Sequence, residues 1–100
     1  MVEVQPIHLS EGTAIAITVH LPKTTLLAVT TDNGYIMCGA LDVGLLNDRL
    51  AKREIVAGRA VGVKTIQELL DAPLESVTRT AEQMGITAGM LGRDAIVKML

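Results

Sequence analysis

The chain has 100 residues, of which 49% are hydrophobic and 1% aromatic, and its formal net charge is −2. This length predicts a single domain, residues 1–100, and the hydrophobic fraction excludes a disordered chain. Because Tyr35 is the only aromatic residue and no basic run occurs, stacking on nucleic-acid bases and binding of a phosphate backbone are excluded, and we expect no nucleic-acid partner.

Membrane and export signals are not evident. The longest apolar runs are about seven residues, against the roughly 20 needed to span a bilayer. The first residues lack the basic flank and apolar segment of a signal peptide, and Cys38 is the only cysteine. We therefore expect a soluble, cytoplasmic protein without a membrane partner.

The first 41 residues predict an antiparallel β-meander. Apolar side chains alternate with polar or small ones, which is the period of a strand; the large apolar residues are Val2, Val4, Ile15, Ile17, Val19 and Leu21. A hairpin centred on Glu11–Gly12 would place Val4 opposite Val19 and Val2 opposite Leu21. Pro6 indicates an edge strand or a bulge.

Two further strands complete the predicted meander. Leu26–Val29 form the third, and Asp32-Asn33-Gly34 predict a hairpin with a type I′ turn, since Asn-Gly accepts positive φ. The chain then enters the unbroken apolar segment Tyr35–Leu41, which is typical of a buried strand.

The periodicity changes at Asp42, which is the predicted N-cap of an amphipathic helix. The segment Ile55–Val61 predicts the next strand, parallel to the fourth in a βαβ unit. Thr65 and Glu68 form a capping box that opens a short helix.

The carboxyl-terminal third predicts more helix. Pro73 suits a first helical turn, and an apolar stripe extends to Met84 before Gly85, although β-branched residues leave a strand open for residues 74–84. The last helix is expected from Gly92 to Leu100. The predicted fold class is α+β: an N-terminal antiparallel β-meander continuing into a βαβ unit, with C-terminal helices packed on the mixed sheet.

The predicted ligand site lies where the strands ending at Leu41 and Val61 finish, because the carboxyl ends of parallel strands meet at one edge of a sheet. Glycine backbone and cationic side chains there favour a small anionic metabolite. The candidate binding residues are Gly39, Asp42, Gly62, Lys64, Thr65 and Arg93. A surface salt bridge is the simpler interpretation of Arg93, and an N-cap that of Asp42.

An enzyme is the alternative hypothesis. Cys38 or Asp42 would act on substrate while Lys64 or Arg93 stabilises negative charge; against this, free cysteine is typical of a core. The segment Gly58–Thr65 fails the phosphate-loop pattern, because only three residues separate its glycines and Val63 precedes the lysine.

No metal or cofactor is expected. The two histidines of the chain, His8 and His20, lie too far apart along the predicted hairpin to share an ion within one protomer. A cross-strand pair of His20 with Glu3 is the expected arrangement.

Three segments together resemble the YunC-like family of small bacterial and archaeal proteins of unknown function. They are Tyr35–Asp42, Gly62–Thr65 with Leu69-Leu70, and Gly85-Ile86 followed by Gly89–Ala95. The similarity extends over about Ile15 to Leu100. Leu91 stands where the family favours a small hydroxyl residue, which would weaken the cap of the last helix, and Asp94 stands where glutamate is more usual.

The resemblance implies self-association rather than a reaction. It suggests a homo-oligomer, specifically a tetramer, built through the N-terminal β-region at roughly residues 1–30. An exposed hairpin whose second face is small and flat, with Ala14, Ala16 and Thr18, fits that expectation. The family brings no catalytic residue, cofactor or substrate.

Overall fold

The computed structural model describes residues 1–100 and contains six strands and four α-helices. The elements are β1 (Val2–Leu9), β2 (Gly12–Leu21), β3 (Thr24–Thr30), β4 (Tyr35–Met37), α1 (Val43–Asp48), a 3₁₀ turn (Ala51–Arg53), β5 (Ala57–Arg59), α2 (Ile66–Asp71), β6 (Ser76–Val77), α3 (Arg79–Gln83) and α4 (Gly92–Met99). None of the helices is long and apolar enough to cross a membrane.

The strands form one mixed sheet in the order β1-β2-β3-β4-β5-β6. The first four are antiparallel neighbours, β4 and β5 are parallel, and β5 and β6 are antiparallel. This confirms the α+β class, with a meander that continues into a βαβ unit.

The hairpin register differs from the predicted one by two residues. Val4 lies opposite Ile17 and Val2 opposite Val19. A two-residue loop, Ser10-Glu11, closes the hairpin one residue earlier than the sequence suggests, which moves each partner by two positions. The shift is even, so the same side chains share each face as in the predicted hairpin.

The turn before β4 is not of type I′. Thr30 pairs with Tyr35, which leaves a four-residue loop, and neither Asn33 nor Gly34 has a positive φ. The Thr31 hydroxyl accepts hydrogen bonds from the backbone N–H groups of Asn33 and Gly34, at 3.1 and 3.2 Å. This side-chain turn replaces the Asn-Gly geometry.

The core lies on the face of the sheet that carries the small residues, which corrects the predicted orientation. Ala14 and Ala16 are buried, whereas Ile15 and Leu21 are exposed. Helices α2 and α4 pack on this inner face against β3 and β4. The inner-face strand residues of the core are Ala14, Ala16, Leu27, Val29 and Ile36, and the helical ones are Leu69, Leu70, Ala95, Ile96 and Met99.

Residues 74–84 hold both structures that the sequence left open. Ser76–Val77 form β6, and Thr78 then caps α3. Pro73 does not start a helix; it forms an isolated β-bridge with Leu91. Gly85, with φ +86°, follows α3 as expected.

Candidate functional site

The loop that follows β4 borders an open cavity of about 650 Å³. We call it the Arg59 cavity; it is lined by residues 39–44, Asn47, Arg59, Glu75, Ser76 and Val77. Two predicted site residues, Gly39 and Asp42, lie here. Arg59, at the end of β5, was not predicted from the sequence, where the only signal is a charged residue inside an otherwise apolar strand.

Arg59 is already paired. Its Nε and Nη2 donate to the carbonyl oxygen of Gly39, at 3.2 and 3.1 Å, and its Nη1 donates to Glu75 Oε2 at 2.8 Å. Asp42 Oδ1 accepts the Leu45 N–H at 2.9 Å, which confirms the predicted N-cap of α1. With two carboxylates and one paired guanidinium, this cavity disfavours an anion.

Lys64 lies in a different cavity, of about 330 Å³, which we call the lysine cavity. It is lined by Lys23, Thr24, Thr25, Val63 and Lys64. The reason for the separation is the path of the chain after β5. The strand ends at Arg59 and the chain turns at Gly62, whose φ is +74°, to reach α2, which packs against β3.

Thr65 and Glu68 form the predicted cap of α2. The Thr65 hydroxyl accepts the Glu68 N–H at 3.1 Å. Glu68 Oε1 in turn accepts the backbone N–H of Lys64 at 2.7 Å. These two bonds join the backbone of Lys64 to the first turn of α2.

Arg93 is engaged in a salt bridge between α4 and α2. Its Nη2 donates to Asp71 Oδ1, and Gln67 Nε2 donates to Asp71 Oδ2 at 2.8 Å. The hydrogen bond from Gln67, followed by that from Arg93, lowers the pKa of Asp71. Arg93 lines neither the Arg59 cavity nor the lysine cavity.

Cys38 is packed in the hydrophobic core. Its side chain is 7% exposed, and Sγ accepts the backbone N–H of Leu27 at 3.5 Å. Neither histidine contacts it; the side chains of His8 and His20 bond to Thr13 and Glu3 instead. A thiol in this position reaches a substrate only if the core opens.

Comparison with known proteins identifies relatives without assigning a reaction. A family model described as "Domain of unknown function (DUF1805)" matches residues 37–99. An uncharacterised protein, YunC, of Bacillus subtilis strain 168 is 61% identical over 100 residues, which cover 100% of this chain and 99% of the relative. A crystal structure of a protein of unknown function from Thermoplasma acidophilum superposes with a TM-score of 0.89 at 28% identity, covering 100% of this chain and 94% of that one.

Proposed function

Since this chain belongs to the DUF1805 family, whose description carries no activity, we propose a function from its surfaces. We propose that it is a single-domain homo-oligomeric binding module, which self-associates through the outer face of the N-terminal sheet and holds a small anion. The observation that carries the proposal is the apolar character of that outer face.

The outer face is the side of β1 and β2 away from the helices. Val2, Val4, Ile15 and Leu21 on it are 60%, 65%, 36% and 44% exposed, respectively. Their cross-strand partners are apolar as well, since Val19 faces Val2 and Ile17 faces Val4. A contiguous exposed apolar surface of this kind marks an interaction site in a water-soluble protein.

The face, rather than the free edge of β1, suits self-association. Met1 exchanges both backbone hydrogen bonds with His20, so the odd residues of β1 point their backbone groups to β2 and the even residues to the free edge. Pro6 is an even residue and has no N–H. It therefore interrupts the row of donors that an added strand would need.

The proposed assembly is a tetramer in the cytoplasm, following the family resemblance. A sheet face that meets its own copy closes a two-fold pair, so a tetramer requires a second contact elsewhere on the chain. The free thiol of Cys38 is the feature that supports a reducing compartment.

The proposed ligand is a small anion bound beside Lys64 rather than beside Asp42. The loop from Gly62 to Thr65 contributes a lysine that has no carboxylate partner, since the four ion pairs involve other residues. The cavity around Asp42 carries two carboxylates instead. Of the two residues in the enzyme alternative, Cys38 is in the core and Asp42 accepts the Leu45 N–H as the N-cap of α1.

Two neighbouring substitutions on β1 test self-association. Val4→Glu places a charge on the outer face, where desolvation on assembly is costly; Gln5→Glu, its control, places the same charge on the opposite face of the same exposed strand. Light scattering after size exclusion should give an oligomer for wild type and Gln5→Glu, and a smaller species for Val4→Glu. Equal masses for the two variants would exclude the outer face as the interface.

A further inference from the structure

We infer that the anion site is the lysine cavity, that Lys23 completes it from the β2–β3 turn, and that its ligand carries a phosphate group. This inference rests on the proposed anion-binding function and is independent of self-association. It joins two segments distant in sequence: the turn between β2 and β3, and the loop between β5 and α2.

The two segments present lysines to one space. Lys23 lies in the two-residue turn between Leu21 and Thr24, where its φ is +62°. Lys64 lies just before the capped start of α2 and is held there by the Glu68 carboxylate on its backbone N–H. Both lysines line the same 330 Å³ cavity.

The charge of the cavity is unbalanced. Neither lysine takes part in an ion pair, and no aspartate or glutamate is among the lining residues. Like charges that share a cavity repel each other. An anion between them removes that repulsion and gains two charge-assisted hydrogen bonds.

The lining chemistry favours phosphate over carboxylate. Thr24 and Thr25 follow Lys23 in the lining, and since successive strand residues point to opposite faces of the sheet, one of the two hydroxyls can join the two ammonium groups in donating to the oxygens of a tetrahedral oxyanion. A phosphate monoester carries close to two negative charges at neutral pH, which balances both lysines. A monocarboxylate would leave one of them uncompensated.

The test is a titration of ¹⁵N-labelled protein with inorganic phosphate at constant ionic strength, followed by amide chemical shifts. Saturable shifts are expected at residues 23–25 and 63–64. Lys23→Ala and Lys64→Ala should each weaken binding by at least about tenfold, since each removes a charge-assisted hydrogen bond. Lys52→Ala, a lysine of the 3₁₀ turn outside this cavity, is the matched control and should bind as wild type does.

The outcomes separate the two proposals. Binding that Lys64→Ala abolishes and Lys23→Ala leaves intact overturns the two-lysine site while preserving anion binding. Saturable shifts centred on the residues of the Arg59 cavity would also overturn the two-lysine site while preserving anion binding. Absence of saturable shifts anywhere overturns the anion-binding function and this inference with it. Acetate or succinate binding as tightly as phosphate at equal ionic strength overturns the assigned ligand class.

Discussion

Thr78 is the polar side chain on which the middle of the fold depends. It is 2% exposed, donates to the Ile55 carbonyl at 2.7 Å, and accepts the N–H groups of Ala57 and Ala81, each at 3.2 Å. One hydroxyl thus joins the chain before β5 to the first turn of α3. The sequence shows only one threonine among several, so this role was not predictable from it.

Two substitutions of Thr78, one without and one with a hydroxyl group, test that role. Thr78→Val keeps the shape but leaves a buried carbonyl and two N–H groups without this partner, and should lower the free energy of unfolding by about 2–4 kcal/mol. Thr78→Ser retains the hydroxyl and should cost about 1 kcal/mol for the lost methyl group. Equilibrium urea denaturation measures both. A valine variant as stable as the serine variant would contradict the assignment.

Two neighbouring side chains act on the carboxyl group of Asp71. Hydrogen bonds from Gln67 and Arg93 lower its folded-state pKa, so its contribution to stability is present above the ordinary aspartate pKa and is lost as pH falls through the lower folded value. Arg93→Gln should raise the pKa of Asp71 while leaving it depressed, because Gln67 remains. An NMR titration of the carboxyl carbon measures this. Stability should change little, since the pair is solvent-exposed.

An unchanged pKa of Asp71 in Arg93→Gln would show that the salt bridge does not persist in solution. Arg93 would then be free to bind an anionic ligand, as the sequence analysis allowed. Gln67→Ala is the companion variant, because it removes the hydrogen bond that lowers the pKa of Asp71 most. The pKa should rise in that variant as well.

The packing of α4 against α2 depends on the absence of a side chain at Gly92. A Cβ at this position would lie 2.3 Å from the Leu69 carbonyl oxygen and 2.9 Å from Ile36 Cδ1, and the Gly92 N–H donates to the Ala72 carbonyl at 3.0 Å. The helix has no side-chain cap at Leu91, as the family comparison implied. The close approach of the two backbones lets the Ala72 carbonyl accept the N–H of Gly92, so one N–H group at the start of α4 has a partner without a side-chain cap.

Gly92→Ala should destabilise the protein by about 1–3 kcal/mol, because α4 must move away from α2. Gly44→Ala, inside α1, is the control. Its Cβ meets only Asp42 Oδ1, at 3.4 Å, so the change should stay within about 1 kcal/mol given the helix propensity that alanine adds. Thermal unfolding followed by circular dichroism compares the two. Equal stabilities would contradict the packing argument.

The elements were largely predictable because their signals are local. Alternation located β1 and β2, and the apolar run Leu26–Val29 located β3. Asp42 and Thr65 marked helix starts, and Gly85 marked a helix end. The buried face of β2 was not predictable, because both faces are apolar and only the closeness of α2 and α4 selects the smaller residues. The type I′ turn predicted after β3 was wrong. The Thr31 hydroxyl accepts hydrogen bonds from the Asn33 and Gly34 N–H groups, and this side-chain turn forms in place of the Asn-Gly turn.

In the whole molecule, the predicted ligand site divides into two because of the path of the chain after β5. Strands β4 and β5 end side by side, since Met37 pairs with Arg59. The chain then turns at Gly62 to reach α2, which packs against β3, and Lys64 lies on that side. Sequence alone could not place Lys23 in the same cavity, since the two lysines are separated by 40 residues whose path the sequence does not give. Arg59 lies beside Gly39 and Asp42, where the sequence predicted Lys64.

The apolar outer face of β1 and β2 is the surface through which we propose that the molecule self-associates. Its exposed valines, isoleucine and leucine are the surface that a second copy would cover. Sedimentation equilibrium of the wild-type protein from about 1 to 100 µM, which spans dissociation constants in the micromolar range, measures this directly. A mass that is a multiple of the chain mass, and that falls toward one chain on dilution or in Val4→Glu, is the predicted result. A single-chain mass across the whole range would rule out self-association through this face.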